Sequence, residues 1–176
     1  LGDIGRNIAK RANAHDLNII GWDPYADTLP DYIETQNNWP TGIERCDFIV
    51  FACALTEKTQ HLFNQGVLEK LKPGVRVVNV SRGPLIDEIA LLDGLTSGVI
   101  TSAALDVFEK EPLSEDSILR HTKNLIVTPH IAWYSQSAGP RLIQWGFEDA
   151  FNLSFGYSSI TVLTIYSESF EKSSSK

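Results

Sequence analysis

Val75-Arg76-Val77-Val78-Asn79-Val80 is a β-branched run, and the Lys72-Pro73-Gly74 before it stops a short helix at about residues 64–71. After it, Ile89, Leu91, Leu92 and Leu95 recur at helical spacing over residues 87–96. Asp87 and Glu88 stand at the start of that helix, where its dipole favours acids, and Gly98 ends it. Residues 99–105 read as a strand again. Strand, helix, strand with tight punctuation is the unit of a parallel sheet, and it extends both ways. Upstream, Ile8, Ala9, Ala12 and Leu17 follow a helical period, which predicts a helix over residues 3–14; residues 17–22 form an apolar run that stops at Asp23-Pro24. A loop rich in Pro, Asp and Asn leads to a second apolar run at residues 48–52, and Thr56-Glu57-Lys58-Thr59 is a polar turn. Downstream, residues 125–128 are a further strand after a charged loop containing Pro112, and a last helix runs over about residues 135–153. Such alternation implies right-handed crossovers and a doubly wound α/β fold with a parallel sheet.

Composition narrows the function. The 176 residues hold 15 Lys and Arg against 22 Asp and Glu, a net charge of −7, with 43% hydrophobic residues: one ordinary globular domain. The acidic balance argues against gripping nucleic acid or an anionic membrane, which takes clustered cations. No stretch approaches the roughly 20 apolar residues that span a bilayer. Cys46 and Cys53 fit neither a disulfide framework nor a metal-binding spacing, and a reducing, cytoplasmic setting is expected. The opening Leu1-Gly2-Asp3, without Met or a signal peptide, reads as a cut start.

Gly2-Asp3-Ile4-Gly5, opening a helix, is the back half of G-x-G-x-x-G, with Leu1 as the residue between the first two glycines. In the whole motif the glycines let the backbone approach a pyrophosphate, whose charge the free N–H groups of the helix start hold. Asp23 lies 18 residues beyond Gly5 at the end of the second element, where a carboxylate accepts hydrogen bonds from an adenosine ribose and selects NAD over NADP. Each feature has a plainer reading as a Gly-rich turn and an Asp-Pro turn.

The block Val78-Asn79-Val80-Ser81-Arg82-Gly83-Pro84-Leu85-Ile86-Asp87-Glu88 resembles the D-isomer-specific 2-hydroxyacid dehydrogenases. The likeness continues through Ala103-Ala104-Leu105-Asp106-Val107-Phe108-Glu109-Lys110-Glu111-Pro112 and Thr128-Pro129-His130-Ile131-Ala132-Trp133. It covers about residues 1–156, the NAD-binding domain of that family, with residues 157–176 as an extra strand-like run and a Ser-rich tail. The resemblance implies a Rossmann-like sheet whose first, central strand and whose substrate domain are missing from this chain.

It also implies a catalytic triad. Arg82 would hold the substrate carboxylate, for which its planar fork is suited, and His130 would give a proton to the carbonyl oxygen, with Glu111 as its partner. A carboxylate against the other ring nitrogen fixes the imidazole tautomer. Gly2, Asp3, Ile4 and Gly5 would line the pyrophosphate and Asp23 the ribose; Cys53 and Thr59 belong to the loop near the adenosine half; Val80 and Ser81 would border the nicotinamide, with Asp106 beside it. Cys53 is then a wall residue. Trp133 would project to the substrate side, or serve as a core aromatic. His15, His61 and His121 lie in polar stretches and read as surface residues.

The sequence departs from the family at Asp3, a carboxylate near the expected phosphates, where relatives often carry a basic or amide side chain. With the middle of the sheet vacant, residues 160–166 are expected to supply a substitute strand or an edge strand to another chain, and residues 167–176 to be disordered. The run Thr128-Pro129-His130-Ile131-Ala132-Trp133-Tyr134-Ser135 is also similar to the C-terminal-binding-protein corepressors, with Ile131 in place of an expected Ala, and to some glycerate or hydroxypyruvate reductases. The expected activity is hydride transfer between NAD(H) and a small 2-hydroxy or 2-keto acid in a homodimer. The alternatives are an NAD-sensing dimerisation module of the corepressor kind, which admits a nuclear address, and an inactive fragment.

Overall fold

The computed structural model describes residues 1–25 and 28–154. In chain order the elements are α1 (Asp3–Asn13), β1 (Ile19–Trp22), β2 (Ile33–Gln36), β3 (Phe48–Phe51), α2 (Gln65–Leu68), β4 (Val75–Asn79), α3 (Glu88–Ser97), β5 (Ile100–Leu105), β6 (Leu125–Val127) and α4 (Ala138–Ser154). Strands β3, β4, β5 and β6 lie side by side in that order and all pair in parallel, with Val77 opposite Ile49 on one side and Ala103 on the other. The α/β alternation and the parallel sheet are those that the sequence implies.

β4 shows why. Val75, Val77 and Asn79 face inward, while Arg76 points out and stacks its guanidinium 5.2 Å from the Phe48 ring centroid. α3 begins where the acids predict: the Asp87 carboxylate caps it, accepting the N–H of Ile89 at 2.9 Å and of Ala90 at 3.4 Å. It ends on Gly98 at φ +79°, the left-handed turn that glycine adopts without strain. The core between sheet and helices is filled by Phe63, Leu85, Leu91, Ile100, Val75 and Val77, all essentially without exposure.

β1 and β2 form a second, two-stranded parallel sheet, pairing Ile19 with Ile33 through Trp22 with Gln36. Among the described residues no strand hydrogen-bonds β1 to β3, as expected of a sheet open at its middle. Aromatic edges bridge the two sheets instead. Trp22 meets Trp39 at 5.0 Å between centroids, Trp39 meets Phe51 at 6.0 Å and Phe51 meets Phe63 at 6.2 Å, each edge-to-face. The two indole N–H groups donate to the carbonyls of Thr41 and Leu62, so neither is buried unpaired.

β2 corrects the expectation of a continuous loop between residues 23 and 47. Its sequence, Ile33-Glu34-Thr35-Gln36, has one apolar residue and no alternating pattern; pairing with β1 and burial of Ile33 make it a strand. α2 is shorter than the expected helix over 64–71, because Asn64 caps it and its regular span ends at Leu68. The described residues divide into two compact units, the first ending at Ile131 and the second beginning at Ala132. Within the second, α4 starts three residues later than expected, and the rings of Trp133 and Tyr134 stand edge-to-face at 5.4 Å. The strand expected at 160–166 and the tail expected at 167–176 lie outside the described residues.

Candidate active site

The residues singled out from the sequence gather at the carboxyl ends of the parallel strands, where open α/β sheets bind their ligands. Asp23 follows β1, Cys53 follows β3, Val80 to Arg82 follow β4, Asp106 follows β5 and His130 follows β6. Each sits in the turn where its strand stops.

The turn after β4 is organised by Asn79, whose side chain is fully buried. Its amide donates to the Arg82 carbonyl at 2.8 Å, its side-chain oxygen accepts the Ser81 N–H at 3.0 Å, and its own carbonyl accepts the Asp106 N–H at 3.0 Å. The buried amide thus sets the backbone of Ser81 and Arg82, and the Asn79 main chain ties this turn to the end of β5. The Arg82 guanidinium is exposed and donates to the Ser81 carbonyl at 2.7 Å. Gly83 follows because nothing larger fits: a Cβ there would stand 1.9 Å from the carbonyl carbon and oxygen of Phe108.

That contact locks the turn bearing Arg82 against the turn bearing Glu111. Glu111 uses both carboxylate oxygens: Oε1 accepts the Phe108 N–H at 3.0 Å and Oε2 accepts the Nδ1–H of His130 at 2.7 Å. Partial burial pushes the Glu111 carboxyl up, but the bonds from His130 and Phe108 and the charge of Arg82 outweigh it and leave the group below the usual carboxylate range. A carboxylate only accepts, so this bond requires the proton of His130 on Nδ1.

His130 adopts a left-handed backbone at φ +56°, a conformation that costs a non-glycine residue about 1–3 kcal/mol and persists where neighbours impose it. Asp106 imposes it here. Its carboxylate is 4% exposed and accepts the Thr128 hydroxyl and, at 2.9 Å, the Ile131 N–H, so it grips the turn on both sides of His130. The sequence pointed to Asp106 as a neighbour of the nicotinamide; the structure brings it together with the histidine turn.

The remaining cofactor candidates are spread along the same edge. Gly2 is the N-cap of α1 and supplies no side-chain bond, leaving the first N–H groups of the helix to a ligand; Asp3 and Ile4 beside it are exposed, and Gly5 is buried. The Asp23 carboxylate accepts the Tyr25 N–H at 2.9 Å. Cys53 is an exposed free thiol. Thr59 closes its own loop, its hydroxyl donating to the Ala54 carbonyl at 2.8 Å and accepting the Thr56 N–H at 2.7 Å. Val80 and Ser81 are half-buried, and Trp133, in the second unit, is 53% exposed. An uncapped glycine-bounded helix start together with a carboxylate at the end of β1 fits a dinucleotide.

Sequence reasoning missed Asn79, Thr128, Glu88 and Glu109 as supports of the site, and it read His61 as surface. His61 Nε2 bonds Glu109 Oε1 at 2.9 Å, and Glu88 Oε1 accepts the Glu109 N–H at 2.9 Å. Nothing in the local pattern marks Glu88, Glu109 and His61, since they meet across 21 to 48 positions.

Residues 1–132 match the family described as D-isomer specific 2-hydroxyacid dehydrogenase, NAD binding domain. The chain is 35% identical over 147 residues to an (S)-sulfolactate dehydrogenase of Chromohalobacter salexigens, covering 82% of this chain and 47% of that protein. It is 41% identical over 135 residues to a D-3-phosphoglycerate dehydrogenase of Methanocaldococcus jannaschii, covering 74% of this chain and 25% of that protein. In three dimensions it matches a D-isomer specific 2-hydroxyacid dehydrogenase from Xanthobacter autotrophicus, solved with NADPH and MES, at a TM-score of 0.78 and 32% identity over 91% of this chain and 66% of the other. The chain thus spans less than half the length of these two relatives. The uncapped glycine start of α1, the site at the strand ends and the match over residues 1–132 lead to one conclusion: this chain belongs to the D-isomer specific 2-hydroxyacid dehydrogenases and carries their NAD-binding domain.

Proposed function

We propose that the domain serves an NAD-dependent oxidoreductase acting on a 2-hydroxy or 2-keto acid, with Arg82, Glu111 and His130 as its reacting side chains. The observation that carries this reading is the 2.7 Å bond between His130 Nδ1 and Glu111 Oε2. With Nδ1 committed to Glu111, His130 Nε2 is the atom that would give a proton to the substrate carbonyl oxygen on reduction and take it back on oxidation. The ring becomes positive when it holds both protons, and the Glu111 carboxylate stabilises that form. Arg82 would bind the substrate carboxylate, both oxygens at once, and so turn the carbonyl toward His130. Bound NAD(H) supplies or accepts the hydride. The N–H groups at the start of α1 would hold its pyrophosphate, and Asp23 its adenosine ribose; an acid there favours NAD over NADP.

The same reading includes a homodimer and a cytoplasmic address. For the first, α4 exposes Leu142, Ile143, Trp145, Phe147 and Phe151, an apolar surface that a second copy of the chain would cover. Among the described residues no helix is long and apolar enough to cross a membrane.

The test is calorimetric titration of the 176-residue chain with NADH, with Asp23→Ala as control. Saturable binding that weakens in the variant is expected; a folded chain that binds no NADH would sink the cofactor assignment. With a substrate domain supplied, turnover of 2-keto acids that drops about 10²- to 10⁴-fold in His130→Asn is the expected second result.

A further inference from the structure

We infer that His61 is a positioning residue of this site, holding the Glu111 carboxylate in place through Glu109. The inference rests on the reading of Glu111 and His130 as the proton-transfer pair. The turn bearing Glu111 is held at its backbone by Gly83, which packs directly on the Phe108 carbonyl, and by Glu88, whose Oε1 accepts the Glu109 N–H at 2.9 Å. Besides the Glu111–His130 bond itself, a further long-range tether from a side chain of this turn is Glu109, whose carboxylate accepts Nε2–H of His61 at 2.9 Å. Glu109 lies between Phe108, whose N–H holds Glu111 Oε1, and Glu111 itself. A shift of Glu109 therefore moves the donor and the acceptor of the catalytic carboxylate together.

His61 is itself anchored to the other half of the site. Its N–H donates to the Pro84 carbonyl at 2.8 Å and its carbonyl accepts the Asn64 amide at 2.9 Å. Two residues on, the Phe63 N–H donates to Leu85 at 3.0 Å and the Phe63 carbonyl accepts the Asp87 N–H at 2.9 Å. The segment 61–63 is thus laced to 84–87, directly after Arg82 and Gly83. His61 holds φ +49°, the left-handed region that His130 also occupies at φ +56°. Such backbone persists where surrounding bonds over-determine it, and the Pro84 and Asn64 bonds do so at His61. The imidazole thereby spans the Arg82 turn and the Glu111 turn. The side chains of His61 and Glu109 are 42% and 37% exposed, so the pair adds little to global stability and acts on orientation.

Nitrogen NMR of the histidine rings in the 176-residue chain, at about pH 8.5 where histidine is ordinarily neutral, reads the consequence without any turnover. The balance between the Nδ1–H and Nε2–H forms of His130 reports its bond to Glu111, and Glu111→Ala sets the baseline. His61→Ala and, independently, Glu109→Ala are expected to lower the ratio of Nδ1–H to Nε2–H about three- to fivefold, within the net range of one hydrogen bond. His61→Gln, whose amide can still donate to Glu109, is expected to restore most of it, and thermal unfolding is expected to stay where it was. A His130 ratio unmoved in both alanine variants overturns the inference. If the parent chain already matches Glu111→Ala, the Glu111–His130 pair itself fails, a distinct result that takes the inference with it.

Discussion

Replacing Gly83 with Ala tests whether the two halves of the site are locked by backbone contact. The added Cβ would sit 1.9 Å from the carbonyl carbon and oxygen of Phe108 and 2.5 Å from the Glu109 nitrogen, and real Cβ atoms keep at least 3.0 Å. The turn of Arg82 and the turn of Glu111 must therefore part by 1.1 Å or more. Neither side is a flexible side-chain end: Asn79 holds one turn, and Glu88 and Glu111 hold the other. Overpacking in a fixed environment costs about 1–3 kcal/mol, and an obstacle made of backbone places this case at about 3 kcal/mol. At roughly 2–4 °C per kcal/mol for a chain of this size, the melting midpoint should fall by roughly 6–12 °C. Circular dichroism melts of Gly83→Ala measure it. Gly98→Ala is the companion variant: its φ of +79° is strained for alanine, but no atom lies within 4 Å of the added carbon, so its cost is confined to about 1–2 kcal/mol. A Gly83→Ala chain that melts within about 1 °C of the parent would refute the close approach and the coupling drawn from it.

Asn79→Leu keeps the buried volume but strips the Ser81 N–H and the Arg82 carbonyl of their partners; a loss of about 1–3 kcal/mol in urea unfolding is expected, with weaker substrate-carboxylate binding once a substrate domain is supplied. Glu111 holds its proton less tightly folded than unfolded, so it stabilises the fold above its ordinary value of 4.5, and that contribution disappears as pH falls through the lowered folded value. Denaturant midpoints of the parent and Glu111→Gln should therefore differ at pH 7 and converge as pH falls through the lowered folded value. Glu88 has the opposite sign: burial, with the neighbouring charges of Glu109 and Asp87, raises its carboxyl despite the Glu109 N–H, so its cost to the fold grows as pH rises past 4.5. Glu88→Gln should be more stable than the parent at pH 7, and the advantage should vanish on acidification.

Read alone, the sequence determined whatever depends on neighbours along the chain. The β-branched run at 75–80, the Asp87 and Gly98 boundaries of α3 and the glycine-bounded start of α1 are local patterns, and each forms where its period and caps require. The residues proposed to react were legible because Arg82, Glu111 and His130 sit in recognisable blocks of sequence. Tertiary structure decided the rest. Ile33-Glu34-Thr35-Gln36 carries no strand signal and becomes β2 only because β1 offers a parallel edge beside it. Asn79 reads as one more residue of a strand until its buried amide is seen to bind Ser81 and Arg82. Asp106 turns out to grip the His130 turn, and His61, unremarkable among polar neighbours, reaches Glu109 across 48 positions. For β2, Asp106 and His61 the physical reason is shared: a hydrogen bond between distant residues depends on where the fold brings two chain segments, and local periodicity holds no record of that meeting; Asn79 bonds residues two and three positions on, and what the sequence hides there is its burial.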